Sequence, residues 1–98
     1  MKVSEITNKE LADYLRLTYE YLSDSEKLEL DTLYNVAKKF IISYTGLTAD
    51  EVDTHEDFVI VVYVLVQDMY DTRSLHVDKN NLNKVVETIL GMHSVNLL

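Results

Sequence analysis

Asp50, Glu51, Asp53, His55, Glu56 and Asp57 fall close together in the sequence, and carboxylates beside an imidazole are the residue types that ligate metals. His55-Glu56-Asp57-Phe58-Val59 opens like the zinc-binding His-Glu-x-x-His helix, but Val59 stands where the second imidazole belongs. Two ligands therefore do not share one helical face. A calcium loop needs alternating oxygen donors and a glycine at a set position, and this stretch has neither. The sequence thus predicts no metal site, with His55 an exposed residue in the first turn of a helix. Other chemistry is equally sparse. Cys is absent, which excludes disulfides and thiolate nucleophiles. Neither a Gly-rich phosphate loop nor a Ser–His nucleophile context occurs. Seven tyrosines are scattered along the chain without interleaved basic residues, a pattern of packing rather than of nucleic-acid stacking. The expectation is a protein that is not an enzyme and needs no cofactor.

The elements that must position these residues read as helices. Phe58 to Val66 is an unbroken apolar run. Apolar residues continue beyond Gln67 and Asp68, so Phe58, Val62, Leu65, Val66, Met69 and Tyr70 share a helical face. Thr54 with Asp57 three residues later has the spacing of an N-cap with an acidic partner. The prediction is a central, buried helix over 55–73. It is too short in its apolar part to cross a bilayer, which takes about 20 residues.

Thr7 and Glu10 have capping-box spacing and open a short amphipathic helix over 7–16, with Leu11, Tyr14 and Leu15 on its apolar face. Ser23 and Glu26 repeat the pattern before a long helix over 24–45, in which Leu30, Leu33, Tyr34, Ala37, Phe40, Ile41 and Tyr44 recur at helical steps. Gly46 stands where a left-handed C-cap belongs. Leu47 to Asp53 reads as an acidic loop. Asn80 or Asn81 can cap a last helix over 81–90, carrying Leu82, Val85, Val86, Ile89 and Leu90, with Gly91 as its C-cap. Residues 92–98, Met-His-Ser-Val-Asn-Leu-Leu, form an apolar tail, either frayed or a docking peptide.

Pro is absent and Gly occurs twice in 98 residues, which disfavours a sheet of many hairpins. The expected architecture is all-α: one domain, 1–98, a small bundle of about four helices around a central apolar helix. The net charge of −8 gives no electrostatic attraction to DNA or an anionic membrane. The N-terminal sequence lacks the apolar core of a secretory signal, so synthesis and retention in the cytoplasm are expected.

The order of parts is similar to that of another group of proteins. Tyr14-Leu15-Arg16 closes the first helix, Tyr44-Thr45-Gly46 the second, and Tyr70-Asp71-Thr72-Arg73 the third. In this order and spacing, over residues 7–90, the chain resembles the head–tail connector (adaptor) proteins of long-tailed phages and prophages. The resemblance implies a structural virion protein, made in the bacterial host cytoplasm, that forms a homo-oligomeric ring of about a dozen copies. Such a ring joins the portal protein to a stopper or tail-completion protein and extends the channel through which DNA passes without specific binding. Arg16 and Arg73 are then candidates for ion pairs, within the subunit or between subunits. Met92, Val95, Leu97 and Leu98 are candidates for docking to the portal. Taken on residues alone, Arg16 is either a surface charge or a bridge to an acidic group. The alternative is a small acidic helical regulator or DNA mimic that binds a protein partner, a reading carried by charge.

Overall fold

A computed structural model describes residues 1–95. Among the described residues the chain is all-α, with five helices: α1 Asn8–Tyr14, α2 Asp24–Thr45, α3 Ala49–Asp53, α4 Phe58–Thr72 and α5 Lys84–His93. Short 3-10 turns at Val3–Glu5, Tyr19–Tyr21 and Lys79–Asn81 link or precede them. Among the described residues, no helix is long and apolar enough to cross a membrane.

The helix starts follow from side-chain oxygens that satisfy otherwise orphaned backbone N–H groups. Thr7 and Glu10 cap α1 reciprocally, and Ser23 and Glu26 do the same for α2. Gly46 ends α2 at φ 77°, donating its N–H to the Ile42 carbonyl. The buried Thr45 hydroxyl donates to the Ile41 carbonyl and accepts from the Leu47 N–H, so no polar group is stranded there.

α4 buries Phe58, Val61, Val62, Leu65, Val66 and Met69, a stripe at steps of three and four. It packs against α2, α5, α1 and the N-terminal turn. Its remaining apolar side chains are not enclosed: Tyr63 is half-buried and stacks on Tyr14 of α1 with ring centroids 4.9 Å apart, and Ile60 is exposed. α2 contributes Leu30, Leu33, Tyr34, Ala37 and Ile41 to the interior. Val3 and Ile6 close it from the N-terminal side, and the Tyr34 hydroxyl donates to the Val3 carbonyl.

Four expectations need correction. Residues 47–53 are not a loop, because Thr48 and Glu51 form a further capping box that opens α3. That helix takes Thr54 as its C-cap, with the Thr54 hydroxyl donating to the Glu51 carbonyl at 2.6 Å, so Thr54 does not start α4. Asp57 occupies the N-cap position of α4 with helical backbone angles and makes no side-chain cap, and the helix begins at Phe58 rather than at residue 55. The last helix is capped by Asn83, which accepts from the Val85 N–H, rather than by Asn80 or Asn81. It runs through Gly91 to His93, so Gly91 is an interior position and not a C-cap.

Ser4 ties the N-terminal turn to the end of α3, its N–H and hydroxyl donating to the two oxygens of Asp53 at 3.0 and 2.6 Å. The hydroxyl bond is the main reason why the Asp53 carboxyl lies below its ordinary value of 3.8. A carboxyl lowered on folding adds stability above its unfolded value, and the stability is lost as pH falls through the folded value. Ser4→Ala should therefore shift the acid-unfolding midpoint upward and leave stability at the lowest pH unchanged, as circular dichroism against pH would show.

Candidate interaction surface

Both arginines singled out in the sequence lie at helix ends in left-handed conformation, Arg16 at φ 62° and Arg73 at φ 55°. Around each, the chain closes a double turn. The N–H of Leu17 donates to Ala12 and that of Arg16 to Asp13, and the N–H of Ser74 donates to Met69 and that of Arg73 to Tyr70. This is the Schellman arrangement, in which glycine usually occupies the left-handed residue. A side chain there costs about 1–2 kcal/mol.

Arg73 has compensating contacts. Its guanidinium is 3.4 Å from the Glu29 carboxylate and 4.4 Å from the Tyr70 ring centroid, the ion pair being largely exposed. For Arg16, no carboxylate lies within 4.0 Å among the described residues. Arg16→Gly should therefore stabilise the free subunit by about 0.5–1 kcal/mol, the strain relieved less the entropy of an added glycine. Arg73→Gly should be near neutral, since exposed ion pairs contribute about 0–1 kcal/mol. Urea unfolding of the two variants measures both.

Besides Met1, Ile60 and Leu75, the exposed large apolar side chains fall into two groups. Tyr21 is 88% and Leu28 66% exposed, just before α2 and in its second turn. On α5, Val86 and Leu90 are fully buried while Val85 and Met92, two turns apart on another side of the helix, stay exposed. Val85, expected on the inner face, is 53% exposed. Exposed Val95 follows, its N–H bonded to the carbonyl of Thr45 at 2.8 Å, which fixes this end of the chain to the C-terminus of α2. At ~1.5 Å per residue, Leu28 and Thr45 are about 25 Å apart along α2. Val95 thus lies near the end of α2 opposite Leu28, and Val85 and Met92 reach it along α5. Leu97 and Leu98, the other docking candidates, lie outside the described residues.

A groove of about 530 Å³ runs between α4 and the 74–82 segment, with Leu65, Met69, Val77 and Leu82 along its apolar side and Asp68 and Asp71 among its acids. Burial, then the charge of Asp71, pushes the Asp68 carboxyl up. The groove was not legible in the sequence, because the 74–82 segment carries no periodic pattern to place it.

His55 is half-buried in the turn between α3 and α4, rather than exposed on a helix. Its ring lies 4.1 Å from that of His93, centroid to centroid, and both rings meet the edge or face of Phe58. His93 Nε2 is 2.8 Å from Asp57 Oδ2. A His-Glu-x-x-His helix would carry its second imidazole four residues after His55, where Val59 stands. The structure brings one from the last turn of α5 instead.

No family model, no curated protein and no solved structure matches this chain.

Proposed function

We propose that the chain is a non-enzymatic structural subunit that associates head to tail with copies of itself into a ring, the head–tail connector role implied by its resemblance. The observation that carries this reading is the pair of exposed apolar groups, Tyr21 with Leu28 at the start of α2, and Val85 and Met92 on α5 with Val95 beside the C-terminus of α2. A rotational ring needs two different surfaces on each subunit, because its contacts are heterologous. A twofold dimer would use one patch against itself.

Two further features agree with the role. The net charge of −8 suits a channel wall past which DNA slides without adhering. Arg16 holds a left-handed backbone conformation that costs energy in the isolated subunit, and among the described residues no carboxylate lies within 4.0 Å of it, as suits a residue reserved for a neighbouring subunit. In this reading Met92 and Val95 also serve the portal contact, at the junction of head and tail in the virion.

Light scattering of the purified protein over a concentration range, with negative-stain images of any large species, tests the proposal. Growth of mass with concentration into closed rings is the expected result. A discrete low-order complex that competes with DNA for a basic partner would favour the acidic regulator and remove the connector reading.

A further inference from the structure

We propose that His55, Asp57 and His93 form a binding site for one divalent transition-metal ion of the zinc type. The three side chains come from the α3–α4 turn, the position before α4 and the last turn of α5. Each can offer one ligand atom, and these atoms all lie within 4.8 Å of one another.

An ion pair alone accounts for only part of this arrangement. His93 and Asp57 form one at 2.8 Å, but His55 has no role in it. Yet the His55 ring lies 4.1 Å from that of His93, centroid to centroid, and is tilted 31° from it. A shared cation accounts for the juxtaposition, since neutral imidazoles and a carboxylate are the ligands it requires. Asp57 points the same way. It stands at the start of α4 but makes no cap, and its carboxylate faces His93 instead.

The surroundings favour a cation over an anion. Asp50, Glu51, Asp53, Glu56 and Asp57 fall around the site in sequence, against the N-terminal ammonium at 3.5 Å from Glu56 and Lys2 and Lys38 near Asp53, and the excess of carboxylates attracts counter-ions. The fully buried Phe58 lies against both imidazole rings and shields one side of the site from water.

Geometry asks for small adjustments only. Tetrahedral zinc with bonds of about 2.1 Å sets its ligand atoms about 3.4 Å apart. The His93–Asp57 contact must open from 2.8 Å and the widest separation must close from at most 4.8 Å. The ion takes the place of the hydrogen between Nε2 and Oδ2, with the proton passing to Nδ1 or to solvent so that Nε2 offers its lone pair. Two imidazoles and one carboxylate leave a fourth position for water. Imidazole nitrogen selects zinc, nickel or cobalt over magnesium and calcium, which take oxygen. Bound metal would fasten the α3–α4 turn to the end of α5, the helix that carries Val85 and Met92.

Titration calorimetry of untagged, chelator-treated protein with Zn²⁺ tests the site, alongside His55→Gln and His76→Gln. The expected result is one Zn²⁺ per chain, with affinity lost more than about tenfold in His55→Gln and kept in His76→Gln. Mg²⁺ should not compete. Because His55→Gln leaves the Asp57–His93 bond intact, it should fold, which circular dichroism checks. Proton NMR of the unaltered protein gives a second readout: Zn²⁺ should shift the ring resonances of His55 and His93 and spare those of His76. Absence of saturable binding at one ion per chain, equal binding by His55→Gln, or uniform shifts of all three histidines would each overturn the proposal.

Discussion

Replacing Phe58 with alanine should lower the unfolding free energy by about 3–5 kcal/mol, the range for a fully buried phenylalanine. Phe58 is 0% exposed and opens the stripe that α4 presents to α2 and α5. Truncation removes the ring from the core and leaves a cavity at the α3–α4 turn. It also takes away the surface against which His55 and His93 pack, at 5.5 and 5.0 Å between centroids. A domain of this size is stable by about 5–15 kcal/mol, so the loss is a third or more of the total at mid-range. The melting temperature should fall by roughly 12–40 °C, at about 4–8 °C per kcal/mol. Ile60→Ala on the same helix is the control: its side chain is 41% exposed and the change should stay near 1 kcal/mol or less. Urea and thermal unfolding of both variants measure the difference. Similar costs at the two positions would mean that α4 is not seated as described.

Charge placed on either apolar patch should abolish self-association. Glutamate at Leu28, or at both Val85 and Met92, puts a carboxylate where each contact must exclude water. Central apolar anchors of an interface are worth about 2–4 kcal/mol each, or 30- to 1,000-fold in association. These side chains are exposed in the free subunit, so the variants should keep the unfolding midpoint of the parent within about 0.5 kcal/mol. Lost assembly with unchanged stability separates an interface from a core position.

Much of the fold was legible because helix starts and stops are local. The boxes Thr7–Glu10 and Ser23–Glu26, and the left-handed Gly46, act through hydrogen bonds within a few residues. The three elements behind the family resemblance share that origin. Arg16, Gly46 and Arg73 are all left-handed residues closing a helix, so the resemblance lies in where helices stop. The region from Leu47 to Phe58 was misread because two cap signals compete there. Thr48–Glu51 forms the box, while Thr54 and Asp57 have similar spacing but end one helix and precede the next. At α5, Asn83 and the downstream Gly91 show the limit of single-residue signals. Asparagine was available at three nearby positions, and glycine in mid-helix costs only about 1 kcal/mol.

The candidate sites were less legible, for a physical reason. Contact between His55 and His93 depends on how α5 packs back against α4, which no local pattern encodes. The exposure of Val85 likewise depends on which side of α5 meets its neighbours. Apolar spacing placed it with Val86, and packing chose Val86 alone.

The most direct test of head-to-tail assembly is to mix two variants, one with Leu28→Glu and one with Val85→Glu and Met92→Glu, and measure mass by light scattering. Each alone should remain at the subunit mass of 11.3 kDa. Together they retain one intact pair of patches, so the mixture should form a complex of two chains and stop there. Parent protein that stays at subunit mass at every concentration, or variants that still assemble alone, would contradict the account.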